Sequence, residues 1–73
     1  MTPKFSVGNE VAWSHEHGAL HAAGSILRKD ALPAGTPIGV VTAIANEEGT
    51  WFEVTFPDTS VRTLTNEELV RVA

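Results

Sequence analysis

Three imidazoles close together are the first feature of this chain with chemical potential. In His15, Glu16, His17 and His21, the H-x-H spacing puts two rings on one side of an extended segment. On a helix, His17 and His21 stand instead at i and i+4, again sharing a face. Either geometry offers two nitrogen ligands to a metal ion, and a third must come from elsewhere. A solvated, His-rich loop accounts for the same residues without an ion. That is the reading adopted, so no metal and no cofactor are expected, and His17 is kept only as a candidate binding residue. Other routes to catalysis are thinner. Ser14 beside His15 is adjacency along the chain and not a hydrogen-bonded pair, and there is no nucleophile elbow, Gly-rich phosphate loop or Cys–His pairing. The pairs Glu47-Glu48 and Glu67-Glu68 read as solvated turn charges and a helix cap. No enzymatic activity is expected.

Aromatic residues carry more information. Trp13 and Trp51 are expected to project from neighbouring strands, and a small core built on Phe5, Phe52 and Phe56 cannot easily bury both. An exposed Trp near Arg62 makes a patch of the kind that anchors protein partners. Trp13, Trp51, Arg62 and His17 are therefore the candidate binding residues. A methyl-lysine cage needs several convergent aromatics, and the chain has no Tyr to help build one.

These side chains must be positioned by short strands, because Gly, Pro, Asn and Asp punctuate the sequence every few residues. Phe5 and Val7 lead to a Gly8-Asn9 turn and a first strand near Glu10 to Trp13. The β-branched run Ile38 to Ala45 and the alternating run Thr50 to Phe56 are the two clearest strands, joined as an antiparallel hairpin through Asn46 to Gly49. Period-2 alternation places Phe52, Val54 and Phe56 on the core face and Trp51, Glu53 and Thr55 on the other. Pro57-Asp58-Thr59 turns the chain into a strand from Ser60 to Leu64. Thr65 to Glu68 fits a capping box, with the Thr65 hydroxyl accepting from the Glu68 amide and the Glu68 carboxylate returning to the Thr65 amide. One helical turn there precedes a last strand, Val70 to Val72. Residues 14–37 form a connection too long to be structureless. Ser25 to Lys29 is expected as a strand of a long hairpin; a brief helix over Glu16 to Ala23 is the alternative, weakened by Gly18.

Seventy-three residues allow one modest core, spanning 1–73 as a single domain. The absence of Cys leaves stability to that core or to self-association, so a homo-oligomer stays open. No apolar run suits a membrane span or a signal peptide, which makes the cytoplasm the expected compartment. The net charge of −4, with five scattered cations, disfavours nucleic acid as a partner.

With those elements in place, the string F-x-V-G-x-x-V (Phe5 to Val11), G-x-V-x-x-I (Gly39 to Ile44), F-x-V-x-F-P-D (Phe52 to Asp58), V-R-x-L (Val61 to Leu64) and E-x-L-x-x-V (Glu67 to Val72) resembles SH3-like and Tudor-like bacterial barrels. The resemblance covers most of the chain outside 14–37. It implies an all-β, SH3-like five-stranded barrel with a long first loop. Similar patterns occur in the C-terminal Tudor-like domain of repair helicases and in RNA-polymerase-interacting domains, which implies a protein-binding module associated with transcription or repair. The skeleton is also similar to the type II dihydrofolate reductases, small barrels with an active site at the centre of a tetramer. That implies a self-assembling enzyme as the alternative. Val61-Arg62-Thr63-Leu64 stands where that family has V-Q-I-Y, with a charge in place of a neutral amide. The expected binding surface is the face carrying Trp51, Arg62 and the 14–37 loop, offered to a protein partner.

Overall fold

Alternating and β-branched runs make the strands, and the Gly- and Asp-containing turns between them set the register. The structure is a computed structural model describing residues 3–21 and 24–73. It contains β1 (Glu10–Trp13), α1 (His15–Leu20), a 3-10 turn (Lys29–Ala31), β2 (Ile38–Ile44), β3 (Trp51–Thr55), β4 (Val61–Thr65) and β5 (Leu69–Arg71). The strands form one antiparallel sheet in the order β4-β3-β2-β1-β5. The fold is all-β, as expected. It departs from a closed barrel in one respect: β4 and β5 are both edges, with no ladder between them. The sheet curls without closing. In a flat sheet β4 and β1 lie about 14 Å apart, whereas here the Arg62 guanidinium of β4 rests 5.0 Å from the centre of the Trp13 ring of β1.

The β2–β3 hairpin follows its sequence closely. Asn46 Oδ1 accepts the amides of Thr50 (3.0 Å) and Trp51 (3.1 Å), while Gly49 takes the positive φ of +72° that the turn requires. A register shift between Val41 and Ala43 bends β2. At 65–68 the capping box forms in part. Thr65 N–H donates to the Glu68 carboxylate at 3.3 Å as read, but the Thr65 hydroxyl also donates to that carboxylate, at 3.0 Å. The Glu68 amide turns to the Thr65 carbonyl, so the segment is a single tight turn.

Two groups of buried side chains lie on opposite faces of β1 and β5. Phe5, Val11, Val41, Phe52, Val54, Phe56, Leu64 and Leu69 fill the concave side. Ala12, Leu32, Val70 and Val72 pack behind, with Leu27 and Ile38 against them. The 14–37 connection supplies that second layer. Its expected hairpin strand at 25–29 is absent. The chain there makes only a parallel bridge between Leu27 and Val72, then the 3-10 turn. The helix alternative holds over His15–Leu20, and its expected end at 22–23 lies outside the described residues.

Gly18 explains why a helix with a central glycine persists. A Cβ there would strike the Glu67 carbonyl and lie 2.8 Å from the Leu69 backbone, so only glycine lets α1 lie on the β4–β5 turn. Lys4 locks the same junction. Its Nζ donates to the carbonyls of Gly18 (2.9 Å), Asn66 (3.0 Å) and Leu69 (3.4 Å). Burial pulls the Lys4 pKa below the ordinary lysine value, against the opposing pull of Glu67.

Candidate functional site: the Trp13–Arg62 groove

β1 ends with Trp13 on the concave face, two residues after the fully buried Val11. The Trp13 ring packs 5.9 Å from Phe56, tilted by 36°, and carries the Arg62 guanidinium on its face. Arg62 reaches it because it lies opposite Val54 in the β3–β4 ladder, and directly opposed residues share a face. These three side chains, with Pro37, Pro57 and Asp58, line a groove of about 590 Å³. Its floor is strand and its rim is loop, the arrangement in which rigid scaffolds present recognition surfaces.

The polar groups of the groove are unequally satisfied. Asp58 accepts the Ser60 hydroxyl at 2.6 Å and the Ser60 amide at 3.0 Å. Those bonds, hydroxyl first, hold its pKa below the ordinary carboxylate value, with the charge of Arg62 adding to them. Thr59, between them, has φ +70°, a left-handed conformation uncommon for a β-branched residue. The ion pairs among the described residues are Arg28–Asp30 at 3.0 Å and Lys29–Glu10 at 2.6 Å, and Arg62 is in neither. Its guanidinium lies over the Trp13 ring in the groove lining. Glu68 approaches the Trp13 indole from the β4–β5 turn. Its pKa is lowered mainly by the Thr65 amide, with the Thr65 hydroxyl, the Trp13 indole and His15 adding to that against the effect of burial.

The expected patch of Trp51 with Arg62 does not form. Trp51 pairs with Thr65 on the opposite face of the sheet, 42% exposed, and β2 separates its strand from that of Trp13. Arg62 therefore shares a site with Trp13, and with the 35–37 part of the long connection, and not with Trp51. His17 lies away from the groove lining, with Nδ1 3.0 Å from Ser14 Oγ and its ring stacked on His21 at 6.3 Å between centres. The Ser–His contact thus involves i and i+3 on the first helical turn, not the adjacent His15. Among the described residues no three His, Cys, Asp or Glu side chains converge on a common point.

Sequence reasoning did not place Phe56, Pro57 or Pro37 at the site. The signal was present in the F-P pair ending β3 and the proline immediately before β2, since Pro at strand ends caps ladders and exposes a rigid apolar edge. No helix among the described residues is long and apolar enough to cross a membrane. No family model, curated protein or solved structure matches the chain significantly.

Proposed function

We propose that this chain is a non-enzymatic protein-interaction module that takes a peptide segment of a partner along the Trp13–Arg62 groove, in the manner of small barrels attached to bacterial transcription or repair machinery. The observation that carries the reading is Arg62, stacked on an indole at the wall of an apolar groove and joined to no carboxylate among the described residues. Trp and Arg are the residues most enriched at energetic centres of protein interfaces, and a pre-stacked guanidinium loses little freedom on binding. The strained Thr59, between the groove residues Asp58 and Ser60, fits the same reading, since strain collects at binding sites. The strand order, a four-strand meander whose fifth strand returns beside the first, supports the resemblance to SH3-like barrels.

Selection of a random peptide library on the full chain tests the proposal. Enriched peptides should lose about tenfold or more in affinity on Trp13→Ala, a loss typical of an interface anchor. They should bind Trp51→Ala as they bind the parent, and Trp13→Phe, which keeps an aromatic ring in place, separates loss of contact from loss of fold. Failure to enrich any binder, or binders that need Trp51 and ignore Trp13, would overturn it.

A further inference from the structure

β4 is an edge strand, and its outer side is chemically incomplete. At one end of the β3–β4 ladder Phe56 N–H donates to the Ser60 carbonyl, and at the other Asn66 N–H donates to the Thr50 carbonyl, both at 2.9 Å. Antiparallel alternation between those fixed ends makes Val54–Arg62 and Phe52–Leu64 the hydrogen-bonded pairs. The amides and carbonyls of Val61, Thr63 and Thr65 therefore point away from β3. Thr65 is satisfied by its own turn, its amide by the Glu68 carboxylate and its carbonyl by the Glu68 amide. Val61 and Thr63 have no such partner among the described residues. Val61–Thr65 carries no proline, lysine or bulge, and Arg62 is its one charged residue.

We infer that this edge receives an extended segment of a partner protein as a sixth, antiparallel strand, bonded at Val61 and Thr63, with an acidic residue of that segment opposite Arg62. The inference rests on the peptide-binding reading above and adds its mode. A strand laid along β4 enters beside the groove, because the residue facing Arg62 falls on the concave side. That residue occupies a close, non-hydrogen-bonded pair, the position where an opposite charge is favoured most. Its two neighbours fall on the outer face beside Val61, which is 54% exposed, and β-branched side chains suit that contact.

A second copy of this chain fits poorly on the same edge. Two-fold pairing of β4 centred on Thr63 sets Val61 against Thr65, whose amide already serves Glu68. Pairing centred on Arg62 sets two guanidinium-bearing residues directly opposite each other, which is destabilising. The position that repels arginine is the one that rewards aspartate or glutamate.

The enriched peptides decide the mode, read by amide hydrogen exchange in NMR on the full chain. They should share an acidic residue flanked by β-branched residues and slow exchange at Val61 and Thr63. Arg62→Glu should weaken them about tenfold or more and should restore binding to a peptide with lysine in the acidic position, a reversal that simple loss of fold cannot produce. Thr63→Pro, which removes an outward amide without touching the β3 ladder, should abolish binding while the thermal melt stays cooperative. Peptides that need Trp13 yet tolerate Thr63→Pro and leave Val61 and Thr63 exchange unchanged would overturn the added strand and leave the groove standing. A library with no binders overturns both. Protection of Val61 and Thr63 that grows with concentration of the chain alone overturns the hetero-partner in favour of a second copy.

Discussion

Thr59 holds the β3–β4 turn in a conformation that its branched side chain resists, with φ +70° between Asp58 and Ser60. Replacement by glycine or asparagine relieves that strain, and the expected gain is about 1 kcal/mol, or roughly 4–8 °C in Tm for a chain of this size. Thermal melts of Thr59→Gly and Thr59→Asn check it; an unchanged or lowered Tm in both would show that the turn is unstrained. At this scale the sequence was legible where alternation is strict. Phe52 and Val54 are fully buried, and Phe56 nearly so, while Trp51 is 42% exposed on the other face, as period 2 requires. It was not legible for Trp13 and Arg62, which are far apart in sequence and meet only because the sheet curls.

At the scale of elements, α1 depends on a residue that helix propensity alone would condemn. Alanine at position 18 improves propensity by about 1 kcal/mol, but its Cβ would press on the Glu67 carbonyl and Leu69 backbone, which cannot rotate away. Gly18→Ala should therefore destabilise by about 1–3 kcal/mol net of that gain, measured by urea denaturation. A stabilised variant would mean that α1 does not pack on the β4–β5 turn. Propensity reads a residue against its own helix and carries no information about the backbone lying across it. The long connection was hidden for a related reason, although a clue to its role stood elsewhere. Val11-Ala12 and Leu69-Val70 are consecutive apolar pairs, and strands buried on both faces need cover behind them. Leu27 and Leu32 provide it from a segment with no periodicity of its own. The β2–β3 hairpin, whose Asn–Gly chemistry is local, was read to within a residue at each end.

Across the whole molecule, Asp58 and Glu68 both have pKa values held below the ordinary carboxylate value by hydrogen bonds of the folded chain. A depressed folded pKa contributes stability that is complete above the unfolded value of about 4 and is lost as pH falls through the folded one. Urea midpoints should accordingly hold level near neutrality and decline below about pH 4, with the decline shallower in Asp58→Asn and Glu68→Gln. An identical acid limb in both variants would place the proton-linked loss elsewhere. The position of β1, between β2 and β5, has a further consequence in time. As the chain folds, the β2–β3–β4 meander is a unit rich in local contacts, and such units form early. Val11 and Ala12 must wait, since Arg71 and Val70 pair with them from a distant part of the sequence. Until those residues meet, the folding chain carries a half-covered strand beside a finished hairpin. Commitment to the native state thus falls late in folding, when the closure of one long loop lays a short strand over the first.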